Sequence, residues 1–307
     1  MSKSRREFLK EFLALAGVVG AAAVFRWYKS RSSVPDVESS VPQILTTDSG
    51  FEMVHVENGE FMMGCNDCGF DEQPMFTVLL IWSYYVNKFQ VTFEQYDAYC
   101  EETGRPLLDD GGWGRGDVPV FGVSWFDTIE YCNWLSEKEG LTLCYREGSR
   151  RVIWEREANG YRMPTEAEWE YAAKGRASNE QHWYAGSDDP DEVAWYADNS
   201  DGRPHPVGQK KPNELGLYDM SGNVREFCWD RYDTDSYLYQ VGNTASVDPL
   251  GLPGAYTYSN SNHPNIVLRG GDCLSPADEL RVTSRGYDVP VDYGMYGIRL
   301  VRNGARE

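Results

Sequence analysis

The sequence predicts an α+β fold with little regular secondary structure and long loops. Three segments carry helix signals at both ends, and two pairs of short apolar runs are joined by Asn-Gly, which is typical of β-hairpins. The chain has 307 residues, of which 41% are hydrophobic and 14% aromatic, so it can bury a sizeable core. Few strands and three helices with long connections favour the α+β class.

The three predicted helices begin at hydroxyl side chains. Thr92, Ser124 and Thr165 are each followed three residues later by an acid or an amide, the pattern of a capping box. Glycines predict the helix ends, and apolar residues at helical spacing predict that the second and third helices pack on the core. The end glycines are Gly104, Gly140 and Gly175, and the expected core positions are Trp125, Ile129, Cys132, Leu135, Trp169, Ala172 and Ala173.

Strand signals surround these helices. The segments "FEMVHVENGEFMMG" and "RVIWEREANGYRM" each place Asn-Gly between two apolar runs. They predict hairpin turns at Asn58-Gly59 and Asn159-Gly160, because Asn and Gly tolerate the left-handed backbone of a two-residue turn. Two further strand candidates are "FTVLLIWSYYVNKFQV" and "YGIRLVR".

Residues 1–29 form a separate predicted unit. Residues 1–33 hold seven Lys/Arg and two Glu in a chain whose net charge is −19. An uncharged apolar run from Phe12 to Phe25 follows the basic stretch, with small residues at Ala21 and Ala23 that suit cleavage of a signal peptide. The run is shorter than the ~20 residues of a membrane-spanning helix, and an amphipathic N-terminal helix is the alternative.

The segment "SRREFLK" at residues 4–10 resembles the twin-arginine export signal at every position. The resemblance implies export of a folded protein to the periplasm or cell envelope of a prokaryote. If the signal is not cleaved, it anchors the protein, and the membrane is expected to be contacted through this N-terminal segment alone.

Residues 30–49 are rich in Ser, Pro and Thr and predict a linker, so the folded domain is expected to span residues 50–304. The acidic charge of this domain would repel phosphate backbones and anionic membrane surfaces. Nucleic acid is therefore not an expected partner.

Several segments occur in the order seen in the formylglycine-generating enzyme family, also called sulfatase-modifying factor domains. They are "GEFMMG…DEQP", "NKFQVTFEQY", "PVFGVSWFDTIEYCNWLS", "YRMPTEAEWEYAAKG", "HPVGQKKPNELGLYDMSGNVREFCWD" and "VLRGGD…GIRLVR". The resemblance implies one domain with a variant C-type-lectin fold. The family includes copper oxidases that make formylglycine in sulfatases, iron enzymes, accessory proteins and ligand-binding proteins.

The resemblance does not carry over the copper site. In the oxidases a serine follows the two glycines of the RGG segment, and two cysteines follow at fixed spacing and bind Cu(I) as thiolates. Those three positions hold Asp272, Ser275 and Leu280 here, and Cys273 stands two places early. Copper is therefore not expected, Cys273 is only a weak candidate nucleophile, and no catalytic residue is assigned.

The other cysteines and the histidines offer no clear site. Cys65 and Cys68 form a lone CxxC pair, for which a metal site and a labile disulfide both remain open. Cys132 and Cys228 are predicted to be buried thiols. The four histidines lack the spacing that the family's iron enzymes require.

One metal site does match the family. By resemblance, "GLYDMSGNVREF" implies a structural calcium site made by the carboxylates of Asp219 and Glu226 and the carbonyls of Gly222 and Val224. Hard cations prefer such oxygen ligands. The alternative is that Asp219 caps a turn and Glu226 is solvated.

The family's substrate groove predicts a ligand-binding face near the C-terminus. Mixtures of Tyr, Asp and Ser suit adaptable recognition of a protein, peptide or glycan. Two hypotheses remain, an exported binding or accessory module and an oxidoreductase with unfamiliar site residues. The predicted ligand-binding residues are Asp272, Ser275, Asp278, Tyr287, Asp288, Asp292, Tyr293 and Tyr296.

Overall fold

The computed structural model describes residues 43–148, 152–176, 182–240, 245–249 and 264–304. This part of the chain is α+β, as predicted, with four helices and fourteen short strands. The helices are α1 (Phe93–Thr103), α2 (Trp125–Lys138), α3 (Glu166–Ala173) and α4 (Pro190–Val193). The strands are β1 (Ile44–Thr46), β2 (Glu52–Val56), β3 (Gly59–Met63), β4 (Phe76–Leu80), β5 (Tyr84–Asn87), β6 (Tyr145–Glu147), β7 (Val152–Trp154), β8 (Tyr161–Arg162), β9 (Arg225–Arg231), β10 (Ser246–Val247), β11 (Ile266–Arg269), β12 (Gly286–Asp288), β13 (Tyr296–Gly297) and β14 (Val301–Asn303).

The three predicted helices are confirmed. Thr92, Ser124 and Thr165 each accept a hydrogen bond from the amide three residues on, and the side chain at that position bonds back to the cap. Gly104 ends α1 in the left-handed conformation at φ 72°. The one-turn helix α4 was not predicted, although Asp189 caps it and Pro190 occupies its first position.

The strands form four small sheets. The largest has the order β1-β2-β5-β14-β8, and a four-stranded sheet has the order β12-β11-β9-β13. Smaller sheets are β10-β4-β3 and β6-β7. The four-stranded sheet brings the RGG segment, the "NVREF" segment and the C-terminal loop together, so it positions the residues of the candidate site.

Both hairpin predictions are wrong. β2 pairs with β1 and β5, whereas β3 pairs with β4, so Asn58-Gly59 joins two sheets. Likewise β7 pairs with β6 and β8 with β14. The glycines serve close packing instead, because an added Cβ on Gly59 would lie 2.3 Å from the Tyr171 hydroxyl oxygen and one on Gly160 would lie 2.5 Å from Ser136 Oγ.

The folded domain begins earlier than the predicted residue 50. Strand β1 lies inside the predicted linker and pairs with β2, where Ile44 faces Val54 and Thr46 faces Glu52. Backbone pairing thus continues upstream of the expected boundary.

The predicted export signal lies outside the described residues. Among the residues that the structure describes, no helix has the length and apolar character needed to cross a bilayer.

All seven cysteines lie in the described part of the chain. Cys65 and Cys68 form a disulfide, which is one of the two alternatives left open by the sequence. The other five cysteines are free and buried, including Cys132 and Cys228 as predicted. The fully buried Trp125 and Trp169 belong to two separate large apolar clusters of the core.

Candidate functional site

The RGG segment turns sharply after β11 and buries Cys273. Gly270 and Gly271 both have positive φ, and an added Cβ on Gly271 would lie 2.6 Å from Leu280 Cδ2. The Cys273 amide donates to the Asn223 carbonyl at 3.0 Å, and the Cys273 carbonyl accepts from Ser200 Oγ at 2.6 Å. These bonds hold the residue in a closed turn.

The Cys273 thiol is poorly placed for thiolate chemistry. Its side chain is fully buried, and burial, helped by the nearby charge of Asp272, raises its pKa to about 12. Leu280, at the position of the family's second cysteine, is buried beside Val193 and Tyr196 in an apolar cluster. No thiol therefore occupies that position.

Asp272 and Ser275, two of the predicted ligand-binding residues, bind Arg225 within the protein. Arg225 Nε donates to Asp272 Oδ2 at 2.9 Å, and its Nη2 donates to Ser275 Oγ at 2.8 Å and to Glu279. Asp272 and Ser275 are buried, so they hold the Arg225 side chain in place from inside the protein. Sequence reasoning missed Arg225, because its partners lie about fifty residues away.

Arg225 also links this cluster to strand β12. It begins β9, and its side chain crosses β11 so that Nη1 approaches Gly286. An added Cβ on Gly286 would lie 2.7 Å from that nitrogen. A side chain at this position of β12 would therefore push against the guanidinium of Arg225.

Asp288, which follows Gly286 in β12, contacts both Asp292 and Tyr296. The Tyr296 hydroxyl donates to Asp288 Oδ2. A side-chain hydrogen bond to Asp288 raises the pKa of Asp292. Tyr293 lies in the same loop and is 67% exposed. We use the name Arg225 face for the surface formed by Arg225, Asp272, Ser275, Glu279, Asp288, Asp292, Tyr293 and Tyr296.

Two predicted ligand residues lie apart from the Arg225 face. Tyr287 alternates with Gly286 and Asp288 along β12, so its side chain points to the opposite side and stacks on Tyr232 at 4.2 Å. Asp278 is exposed in a short 3-10 helix, and its charge acts on Arg281. The structure therefore does not gather all eight predicted residues on one face.

The predicted calcium ligands do converge, and they converge on the side chain of Gln90. Its Nε2 donates towards four oxygens, at 2.8 to 3.5 Å. These are the carbonyl oxygens of Asp219, Gly222 and Val224 and Oε1 of Glu226. Asp219 contributes its carbonyl rather than its carboxylate to this ring, which differs from the expectation.

Two buried carboxyl groups and one buried arginine lie around this ring. Glu226 is buried and paired with Arg299, and it also accepts from Trp169 Nε1 at 2.7 Å. Asp219 Oδ2 accepts from the Gly208 amide, but Oδ1 is buried without a partner, and burial raises the pKa of this carboxyl to about 6. In the described residues no three His, Cys, Asp or Glu side chains form a metal site, so carbonyls would have to complete this one.

A second buried charge network lies behind β11. Arg269 is fully buried and binds Glu166 and Glu170, while Arg285 also binds Glu166. Asp230 is buried beside them, and its Oδ2 accepts from the Glu166 amide at 2.8 Å. Burial, and then the charge of Glu166, raises the pKa of Asp230 to about 8.

Known proteins are similar to this chain in sequence and in fold. Residues 39–304 match the Sulfatase-modifying factor enzyme 1-like domain. Chaperone protein LppX from Paenibacillus barcinonensis is 38% identical over 227 residues, which cover 61% of this chain and 79% of that protein. The formylglycine-generating enzyme of Streptomyces coelicolor is 31% identical over 193 residues, which cover 58% of this chain and 50% of that enzyme.

A kinase and a solved structure extend the comparison. The serine/threonine-protein kinase pkn1 of Chlamydia caviae is 27% identical over an alignment covering 97% of this chain but 45% of the kinase. The chain thus spans less than half the length of that relative. The solved structure of Treponema denticola variable protein 1 has a TM-score of 0.70 and 28% identity, and the match covers 86% of this chain and 100% of that one.

Proposed function

The chain belongs to the sulfatase-modifying factor enzyme 1-like family, and we propose that it is a binding or accessory module that lacks formylglycine-generating oxidase activity. The observation that carries the proposal is the state of the RGG turn. Cys273 is fully buried, and Leu280 takes the place of a second thiol. Cu(I) prefers soft thiolate ligands, and a single thiol with a raised pKa is a poor one.

An accessory role agrees with the similarity to LppX, which is named as a chaperone protein. The Arg225 face would supply the binding surface here. Its outer part combines the carboxyl groups of Asp288 and Asp292 with the exposed ring of Tyr293, and Leu274 and Val291 add exposed apolar area. This mixture of aromatic, acidic and apolar groups suits a protein, peptide or glycan ligand.

The absence of oxidase activity can be tested directly. Purified protein is incubated with Cu(I), oxygen and a sulfatase-derived peptide that carries the target cysteine, and the peptide is followed by mass spectrometry. The Streptomyces coelicolor enzyme serves as the positive control. We expect an unmodified peptide. A peptide that gains an aldehyde at a rate that Cys273→Ser removes would establish the oxidoreductase alternative.

The binding face is tested with a glycan array and a peptide library as probes. Asp292→Asn and Tyr293→Ala should each weaken binding of any hit by at least about tenfold, since each removes a contact worth roughly 1.4 kcal/mol. Tyr239→Ala is the matched control, because Tyr239 is exposed to a similar extent, 62%, and lies away from this loop in sequence. Hits that neither face variant weakens would place the ligand elsewhere.

We further propose that the protein is exported through the twin-arginine route and holds a structural calcium ion. The motif at residues 4–10 supports export to the periplasm or cell envelope. The oxygen ring around Gln90 supports calcium. Elemental analysis of chelator-washed protein re-equilibrated with calcium should find about one ion per chain. Protein that retains none under these conditions would rule out the calcium site.

A further inference from the structure

The side-chain nitrogen of Gln90 lies among more acceptors than it can serve. It is 2.8 Å from the Val224 carbonyl and 2.9 Å from Glu226 Oε1, while the carbonyls of Asp219 and Gly222 lie at 3.2 and 3.5 Å. A primary amide nitrogen has two hydrogens, so two of these four oxygens receive poor hydrogen bonds. A surplus of oxygens around one point is the arrangement of a cation site.

The other end of the same amide is unsatisfied. Gln90 Oε1 is buried without a hydrogen-bond partner, and the whole residue is 1% exposed. Asp219 Oδ1 is a second buried acceptor without a partner. Buried acceptors of this kind are usually paired with a donor, water or ion.

We propose that Gln90 is an exchangeable substitute for the calcium ion. In the ion-free protein its Nε2 donates to the ring of oxygens. In the loaded protein the amide turns over about its last side-chain bond, and Oε1 joins the ligands. The inference rests on the calcium site proposed above.

The charges around the ring support exchange rather than permanent occupancy. Arg299 neutralises Glu226, with its Nε and Nη2 2.8 to 3.0 Å from the carboxylate oxygens. The Asp219 carboxylate therefore supplies the one uncompensated charge, which calcium would reverse in sign but not enlarge. The net charge is thus one negative charge without the ion and one positive charge with it, which is small in both states, so the protein should fold without the ion and bind it reversibly.

The test compares Gln90→Glu with the wild type and with Gln43→Glu, which makes the same change at an exposed glutamine. Melting temperature and calcium binding by calorimetry are measured in chelator and in calcium. The wild type should stay folded in chelator and gain a small rise in melting temperature with calcium. Gln90→Glu should be strongly destabilised in chelator and bind calcium at least about tenfold more tightly than the wild type, because a carboxylate is a stronger ligand than an amide. Gln43→Glu should behave as the wild type does.

A direct readout is the side-chain amide signal of Gln90 in an NMR spectrum of protein with 15N-labelled glutamine. Its two hydrogen signals should shift on calcium addition, because the hydrogens leave the ring of oxygens, while other glutamine signals stay in place. If calcium binds but the wild type unfolds in chelator, or the Gln90 signal does not respond, the substitute role is wrong and the calcium site stands. If calcium binds neither the wild type nor Gln90→Glu, both proposals fail, while the binding-module proposal is unaffected.

Discussion

Arg225 Nε lies 2.9 Å from Asp272 Oδ2, and both side chains are largely shielded from water. The same guanidinium binds Ser275 and Glu279, so one cation holds together the turn that contains Cys273. A buried ion pair contributes little net stability as a pair. Removal of one partner is costly, because the other charge stays buried without compensation.

Arg225→Met should therefore lower the free energy of unfolding by about 3 kcal/mol, the cost of leaving Asp272 uncompensated. Urea denaturation monitored by tryptophan fluorescence measures the loss. Adding Asp272→Asn to Arg225→Met should recover part of it, since the stranded charge is removed. Arg105→Met is the control, because the Arg105–Glu130 pair is largely exposed and should contribute less than about 1 kcal/mol. Equal losses in Arg225→Met and Arg105→Met would contradict this account.

Cys273 should be unreactive in the folded protein. With its pKa raised to about 12, the thiolate fraction at pH 8 is more than about a thousandfold below that of an ordinary cysteine, and burial blocks access as well. Iodoacetamide labelling followed by peptide mass spectrometry should find Cys273 unmodified in buffer and modified in urea. Rapid labelling in buffer would show that the RGG turn opens, and would favour a reactive thiol.

A reporter fused after Ser33 should be exported, because the motif at residues 4–10 is complete. Changing both Arg5 and Arg6 to Lys should abolish export. The matched control exchanges Lys29 and Arg31 for Arg and Lys, which keeps the local charge but leaves the motif intact. Export that persists in a strain without the twin-arginine translocase would refute this route.

The sequence predicted those features whose determinants are close together along the chain. Each capping box lies within four residues, so all three long helices could be located. The oxygens that meet around Gln90 come from residues between Asp219 and Glu226, so their proximity could be predicted, although the sequence analysis chose the carboxylate of Asp219 rather than its carbonyl. Asn-Gly was misleading because Gly59 is needed for the approach of Tyr171 from a distant helix.

The features that sequence reasoning missed depend on tertiary contacts. Gln90 reaches the oxygen ring from 134 residues before Val224. Arg225 gains its role from the order of the four-stranded sheet and from its partners Asp272 and Glu279. Their residue types alone are ordinary for a protein surface, so only the packing identifies their roles.

The stability of the protein should fall between pH 6 and pH 9 because of Asp230. Its pKa is raised to about 8 in the folded state by burial and by Glu166, whereas an unfolded aspartate titrates near 3.9. Between these values the native state holds a proton that the unfolded state has lost, so the free energy of unfolding declines as pH rises and levels off above the native pKa. The expected loss from pH 6 to pH 9 is about 2–3 kcal/mol by proton linkage.

Asp230→Asn isolates this effect, because asparagine can still accept the 2.8 Å hydrogen bond from the Glu166 amide but cannot ionise. Glu168 and Glu170, whose pKa values are lowered, are ionised throughout this range and add no slope. Asp219, whose pKa is raised to about 6, adds a small slope near pH 6 that both proteins share. The buried cysteines, whose pKa values are raised, add a decline above about pH 8 that the wild type and the variant share. Urea denaturation at several pH values should therefore show that the wild type loses about 2–3 kcal/mol more than the variant between pH 6 and pH 9, so that the variant is the more stable protein at pH 9. Parallel profiles would mean that Asp230 is ionised in the native state, and that Arg285 and Arg269 rather than a proton balance the charges behind β11.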